Sequence, residues 1–596
     1  MHISKIKITN FANFSDFEIA TGDDLVIVGE NKVGKSNLIF ALRLILDPSL
    51  SDRDRQLSLD QIWDGLGNDK LGETVEVQVE LSGFEGDARL ISHLGDCLVD
   101  PGPPMVARLT YRFQPKDGLE EAATSLADYE FIVFGGIDPN NNIKPGLRRM
   151  LPLDVMEALR DAEKDLASWR RSPLRPLIES MAGDLDDVAR GDIQDQVDAA
   201  QTELAERDEV EQVAKTITER LIEIVGAQHA TDLSLGLAPT RVDALLRALR
   251  ILIDNSTRGI SEASLGTANL IFFALKSLEF DLLNEDGERD HTFLAVEEPE
   301  AHLHPHLQRL VFRYFLQETA PHAEGGANKL TTILTTHSPQ IASVAPLRSI
   351  VLLRYDTVTQ ETVGRSTALI DLTPREVDDL QRYVDVTRGE LFFARGIILV
   401  EGDAERFLIP AFAGALGIDL DALGISICSV SGTNFTPYVK LLKSDGLDIP
   451  FVILTDRDPV NGSAPRAMSR VRKLLELIDD VADYAVMNEG QIFNSGRAEG
   501  IFVNGDTLEP ALFEIGLAEE MEEIILEGLP RLGQAAKDEI EGWVADPDTL
   551  DSDRLVSFIE RIGKGRFAQQ LAPSVTAAVC PPYIRRALER IRDAVA

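Results

Sequence analysis

The sequence predicts an α/β protein in two parts: a phosphate-loop domain interrupted by a helical insertion, then a second α/β domain that ends in helical elements. Three observations carry this. Gly29 to Ser36 read Gly-Glu-Asn-Lys-Val-Gly-Lys-Ser, between the apolar run Leu25-Val26-Ile27-Val28 and a helical run, Asn37 to Leu46. From about Leu153 to Val225, charged runs carry apolar residues at helical spacing. Two later apolar strands stop in carboxylates, at Glu401 and at Asp456.

The bulk numbers frame these elements. With 596 residues the chain is too long for one core, and 44% hydrophobic with 27% charged residues fits globular protein. No apolar run is long enough to cross a bilayer, and Met1-His2-Ile3-Ser4-Lys5 opens an alternating strand pattern rather than a signal peptide. A cytoplasmic protein without a membrane partner is expected. Cys97, Cys428 and Cys580 are too scattered for a disulfide framework or a cysteine zinc site. The net charge of −40 is a poor global match to a polyanion, so any DNA contact must use local basic patches. Candidates are Lys144 with Arg148 and Arg149; Arg170, Arg171 and Arg175; Arg466, Arg470, Arg472 and Lys473; Lys564 with Arg566; and Arg585, Arg586, Arg590 and Arg592. Each alone reads more simply as a solvated helix face.

In chain order, Ile3, Ile6 and Ile8 lead into Phe11, Phe14, Phe17 and Ile19, two short strands ahead of the loop. The loop itself has the G-x-x-x-x-G-K-S spacing that cradles a nucleotide phosphate. Gly29, Asn31 and Gly34 lie in the cradle, Lys35 reaches the outer phosphates, and the Ser36 hydroxyl ligates Mg²⁺. Thr74 to Leu81, Arg108 to Phe113 and Tyr129 to Phe134 read as strands. The helical stretch includes Asp161-Ala-Glu-Lys-Asp and Gln201-Thr-Glu-Leu-Ala-Glu-Arg without a sustained heptad, so no long coiled coil is expected. Strand signals return at Asp232 to Leu235, Thr292 to Val296 and Thr331 to Thr336. The expected domains are 1–152 and 229–380 for the phosphate-loop domain, 153–228 for the insertion and 390–596 for the second domain. The insertion is expected to pair with another helix across a dimer, or to stand as a simple helical subdomain.

The strand Thr292-Phe-Leu-Ala-Val ends in Glu297-Glu298-Pro299-Glu300. At the end of a buried strand, Glu297 can hold the Mg²⁺ shell and Glu298 can orient or deprotonate water. Thr331 to Thr336 ends in His337-Ser338, where the imidazole can meet the γ-phosphate. With Ser264-Leu265-Gly266-Thr267 between them, this order resembles ABC-type ATPases of the SMC and RecF kind. The resemblance implies that Ser264 and Gly266 complete the ATP site of a second subunit. The chain departs from that pattern at Lys32, where the family has a second loop glycine, and at Leu265 and Thr267.

Downstream, Gly396-Ile397-Ile398-Leu399-Val400 runs into Glu401-Gly402-Asp403-Ala404-Glu405, and Phe451-Val-Ile-Leu-Thr455 into Asp456-Arg457-Asp458. Ser431-Gly432-Thr433-Asn434 follows the intervening strand Ile425 to Val430. Carboxylates past the C-terminal ends of strands in an open α/β sheet stand where sites form, and they suit Mg²⁺ or Mn²⁺. Glu401-Gly402 and Asp456-Arg457-Asp458 resemble the two Toprim motifs. A Toprim behind an SMC-like ATPase, in this order, resembles the OLD family of nucleases, class 2, which includes the nuclease subunit of Gabija anti-phage systems. The resemblance implies an ATP-regulated DNA endonuclease with two metal ions, bound by Glu401, Glu405, Asp456, Asp458 and Glu509. Thr507-Leu508-Glu509 stands for the later acidic motif, and Gly563-Lys564-Gly565-Arg566 for the lysine motif, with Lys564 stabilising charge at the scissile phosphate. It also implies a homodimer or homotetramer and a UvrD-like helicase partner. Two rival functions stay open at this point: an SMC-like ATPase that clamps DNA or a partner without cutting, and a repair factor whose Toprim acts only with a helicase.

Overall fold

A computed structural model describes the chain except residues 68–69, 120, 158–161, 170–171, 227–230, 232, 236–240, 255–256, 286, 301–302, 319–328, 385–387, 459–463, 480–482 and 506. The chain divides into two units. Met1–Met156, His291–Ala301 and Pro305–Ala596 form one; Glu157–Asp290 with His302–His304 forms the other.

Within the first unit, the N-terminal segments build an antiparallel sheet in the order Phe14–Ala20, His2–Phe11, Val75–Ser82, Val106–Pro115, Leu98–Asp100, with Tyr129–Gly135 also on Val106–Pro115. Alternation of apolar and polar residues in Val75–Ser82 turns Val75, Val77, Val79 and Leu81 inward. A second sheet runs Glu361–Ser366, Ile350–Asp356, Leu25–Val28, Leu330–Thr336, Thr292–Glu297, Leu153–Met156, parallel except for the first pair. Its central strand, Leu25–Val28, is apolar at every position and buried at every position, as a strand covered on both faces must be. The helix Lys35–Leu46 buries most of its circumference, leaving only the stripe of Ser36, Asn37, Phe40 and Arg43 less buried, and the same core joins it to both sheets.

A third sheet, all parallel, has the order Ile425–Ser429, Gly396–Val400, Phe451–Thr455, Ile501–Val503. The helix Asp403–Ala415 and the C-terminal helix Pro582–Val595 share its apolar core. The second unit is mostly helical: Leu174–Asp184, Asp187–Ala205, Asp208–Val225, Val242–Ala248 and Leu265–Glu285, with a two-strand ribbon, Leu252–Ile253 and Arg258–Gly259. Asp187–Ala205 buries none of its residues, and Val188, Leu204, Val213, Ile217 and Ile224 are exposed apolar side chains. Among the described residues no helix is long and apolar enough to cross a membrane.

The structure corrects several local readings. The helical texture expected from Leu153 starts later, because Leu153–Met156 is an edge strand that pairs Leu153 with Phe293. Glu361–Ser366, for which no strand was expected, is a strand antiparallel to Ile350–Asp356; at the sheet edge it leaves several of its residues partly or fully exposed. Of the strand expected at Asp232 to Leu235, Leu233 to Leu235 are irregular and Asp232 lies outside the described residues.

Candidate nucleotide and metal sites

The phosphate loop joins the buried strand Leu25–Val28 to the helix Lys35–Leu46. Gly34 caps that helix at φ 94°, and a Cβ there would run into the Asn13 side chain. Gly29 is equally confined: a Cβ would stand 2.7 Å from the Leu353 carbonyl and 2.8 Å from Val33. Lys32, where a glycine was expected from the resemblance, does take the left-handed backbone, at φ 71°. Asn31 is exposed on the loop. Asn13 Nδ2 donates to the Val33 carbonyl (3.1 Å) and the Thr362 hydroxyl to the same oxygen (2.8 Å), which ties the loop to the turn before Phe14–Ala20 and to the strand Glu361–Ser366.

Lys35 is buried. Its Nζ donates to the carbonyls of Gly29 (2.9 Å) and Glu30 (3.0 Å) and lies 3.9 Å from Glu298. Burial lowers its pKa, opposed by Glu298 and Glu300. The Ser36 hydroxyl donates to Glu297 at 2.7 Å. Glu298 takes φ 42° after the strand end, and its N–H donates to the Thr335 carbonyl. His337 Nδ1 lies 3.7 Å from Glu298 and 3.2 Å from Glu300. The structure therefore brings Lys35, Ser36, Glu297, Glu298 and His337 together. It adds Glu300, which is buried and accepts from the Thr336 hydroxyl (2.9 Å) and the His337 N–H (2.8 Å). Glu300 holds the imidazole in place; its position in the Glu-Glu-Pro-Glu run was the only signal for it. Ser264 and Gly266 belong to the second unit, where Ser264 Oγ accepts from the Thr267 N–H (3.2 Å) at the start of the helix Leu265–Glu285.

The second cluster stands at the C-terminal edge of the third sheet. Glu401 follows Gly396–Val400, and its Oε1 accepts from the Asp456 N–H (3.0 Å), from Arg470 (2.8 Å) and from the Thr455 hydroxyl. Glu405, one helical turn on, is pushed up to about 7 by burial and by Glu401 and Glu509. Asp456 is pushed up to about 8 by burial and by Glu401, Glu405 and Glu509, while Asn504 donates to it at 3.3 Å. Glu509 is buried, with Lys564 Nζ at 3.3 Å. Burial alone would lower the Lys564 pKa, but Glu509, Glu560 and Asp456 hold it above its ordinary value. Lys564 reaches this place because Gly563, at φ 98°, turns the chain into the helix Lys564–Leu571. The Tyr583 hydroxyl is also raised, by burial and by the same four carboxylates.

Glu401, Glu405, Asp456 and Glu509 thus form one electrostatic cluster. Asp458, at φ 50°, is instead paired with Arg470, which spans Asp458 and Glu401. Among the described residues no three potential ligands stand ready-spaced around a metal. The donor chemistry nevertheless fits a hard divalent cation, since buried carboxylates raised by one another are the groups a cation would relieve. Sequence reading placed Arg470 only in a basic patch; nothing local marks it as the partner of two acids. Other patch residues are also spent internally. Arg148 is lowered to about 10 by burial and donates to the Ile45 carbonyl, Arg175 pairs with Glu179, and Arg585 donates to the Ala577 carbonyl. Arg170 and Arg171 lie outside the described residues.

Comparison with known proteins gives consistent matches. Residues 392–458 match the family described as overcoming lysogenization defect protein-like, TOPRIM domain, and residues 1–131 and 156–342 match the AAA ATPase domain. The chain is 26% identical to the OLD nuclease of Thermus scotoductus over 86% of this chain and 91% of that protein. It is 22% identical to endonuclease GajA of Bacillus cereus over 77% of this chain and 75% of that protein. Among solved structures, the C-terminal region of the Burkholderia pseudomallei OLD protein is 55% identical, covering 34% of this chain and 100% of that one, with a TM-score of 0.32.

Proposed function

The chain belongs to the OLD family, with an AAA ATPase domain followed by an OLD-like Toprim domain, and from that premise we propose that it is a divalent-metal-dependent DNA endonuclease under ATP control, serving anti-phage defence. The observation that carries this reading is the gathering of Glu401, Glu405, Asp456 and Glu509 with Lys564 at one sheet edge. These carboxylates, with Asp458 once Arg470 releases it, would hold one or two Mg²⁺ or Mn²⁺ ions. Such a cation supplies an activated water and neutralises charge at a phosphodiester. The chain's own groups do the rest. The Asp456 N–H and the Thr455 hydroxyl orient Glu401. Asn504 orients Asp456. Lys564 keeps its proton beside Glu509 and presents a cation to the scissile phosphate.

At the other site, Lys35 and the loop amides would hold ATP, and Ser36 with Glu297 would hold its Mg²⁺. Glu298 would orient water, and His337, fixed by Glu300, would meet the γ-phosphate. Ser264 and Gly266 would complete this site in a second copy. The exposed apolar residues of Asp187–Ala205 and Asp208–Val225 supply a face for a homodimer or homotetramer. A UvrD-like helicase is the expected further partner, and the cytoplasm the expected location.

One observation favours a second reading, a DNA clamp that does not cut: Arg470 already neutralises Glu401 and Asp458. Supercoiled plasmid with Mg²⁺ or Mn²⁺, with and without ATP, decides between them. Nicking by wild type that Glu401→Ala abolishes supports the nuclease, and the response of Lys35→Ala gives the sign of ATP control. DNA binding without cleavage in both proteins supports the clamp.

A further inference from the structure

Next to the acid cluster lies a cavity of about 480 Å³, within the range of small-ligand sites. Phe493 and Arg497 line it from the helix Glu489–Ala498, four apart and so on one face. Tyr583 and Arg586 line it from the first turn of Pro582–Val595, three apart. Asn504 is a shared wall: it borders the cavity and donates to Asp456. Among the described residues neither Arg497 nor Arg586 has an ion pair or a side-chain hydrogen bond. These two cations border the same cavity as three aromatic residues, Phe493, Phe502 and Tyr583. Glu514 lines the cavity as well, a carboxylate that repels phosphate but accepts from an amino or imino N–H.

We propose that this cavity holds one nucleotide of the DNA strand being cut, next to the scissile phosphate, with its base against Phe493 and Tyr583 and its phosphate on Arg497 and Arg586. Aromatic faces stack on any base, and guanidinium forks match phosphate. A base can enter only after leaving the duplex stack, so the site selects unpaired or frayed DNA. The proposal rests on the nuclease reading above and adds a substrate preference to it.

The test uses the full-length chain in EDTA and a labelled single-stranded oligonucleotide, read by fluorescence anisotropy. The Arg497→Gln/Arg586→Gln double variant is expected to bind about tenfold more weakly, with a salt slope shallower by roughly 1 to 2. Phe493→Ala, which removes a ring and no charge, is expected to weaken single-strand binding by about tenfold and leave duplex binding unchanged. Mn²⁺ binding at the acids should persist in each, which separates loss of the cavity from loss of fold. A double variant that binds and cuts like wild type, while Glu401→Ala is inactive, overturns the cavity and leaves the nuclease. Equal loss on duplex and single strand, with no effect of Phe493→Ala, reduces the arginines to surface phosphate contacts and also overturns it. If dCMP binding is lost in the double variant but oligonucleotide binding is not, the site takes a free mononucleotide and the strand assignment fails. Wild type that neither binds nor cuts DNA removes both readings.

Discussion

A carboxyl among other buried carboxylates gives up its proton late, and Asp456 and Glu405 do so at about 8 and about 7. In the unfolded chain the same groups ionise near their ordinary acidic values. Between those limits the folded chain holds protons that the unfolded chain has lost, so the stability these two groups contribute is fully present below their ordinary values and is lost as pH rises through the raised ones. Thermal unfolding in EDTA should therefore show wild type losing stability from pH 5 to pH 8. Asp456→Asn should flatten that slope, and Mn²⁺ should restore the wild type at pH 8. A slope unchanged by Asp456→Asn would mean that the acids do not share one buried cluster. Arg470 makes the complementary case. Its side chain is 12% exposed and pairs with Glu401 and Asp458. Arg470→Gln strips a cation from a largely buried group of acids and should cost about 3 kcal/mol in EDTA by denaturant titration. Saturating Mn²⁺ should shrink that cost, because a bound cation takes over the charge. Arg470 does not announce itself in the sequence, and Glu300 does so only as the last acid of its run, since each acquires its role from partners distant along the chain. Lys35, Ser36, Glu401 and Asp456 are legible because each sits in a short motif directly after an apolar strand, although their partners in the site, such as Glu297 for Ser36 and Asp456 for Glu401, lie far along the chain.

The strand, loop and helix around Gly29 to Ser36 were readable because their defining signals are local, an all-apolar strand, a glycine at the cap and a largely apolar helix, even though Asn13, Leu353 and Thr362 confine the loop from a distance. The four-residue strand Leu153–Met156 was not, since its partner begins at Thr292 and its own pattern is too short to register a period. Ile501–Val503, which carries Asn504 to Asp456, is shorter still. The loop offers a paired prediction of opposite signs. Gly34→Ala forces a Cβ into Asn13 at a left-handed position, and should lower ATP affinity at least about tenfold in a fluorescent-nucleotide titration. Lys32→Gly, at φ 71°, relieves the same kind of backbone cost and should raise stability by about 1 kcal/mol without weakening ATP. A loss of stability in Lys32→Gly would show that the lysine side chain earns its place there through contacts that outweigh its backbone.

At the scale of the first unit, the proposed ATP control would have to run from the phosphate-loop sheet to the acids on the third sheet. Motifs alone mark both candidate sites but no path between them, because the contacts that could connect them, one to a backbone carbonyl and one an ion pair, are of a kind no motif records. Strand Ile350–Asp356 lies directly beside the phosphate-loop strand, pairing Ile350 with Val26 and Leu352 with Val28. From its far end Arg354 donates to the Ala394 carbonyl at 2.6 Å, two residues before strand Gly396–Val400, which ends at Glu401. Arg365, on the adjacent strand, pairs with Asp448 at 2.9 Å, just ahead of strand Phe451–Thr455. A cavity of about 440 Å³ runs alongside, bordered by Gly29 and Glu30 on one side and Pro450 and Val595 on the other. Burial lowers the Arg354 pKa, and Asp448 and Glu30 oppose that, so the guanidinium feels both the phosphate loop and the segment leading into the sheet that carries the acid cluster. If ATP controls cleavage through this path, Arg354→Ala should keep nucleotide affinity within about twofold, keep metal-dependent plasmid nicking without ATP, and lose the change in nicking rate that ATP produces in wild type. A variant whose ATP response matches wild type would place the coupling elsewhere, and the next element to test would be the Lys440–Glu376 pair at 2.9 Å.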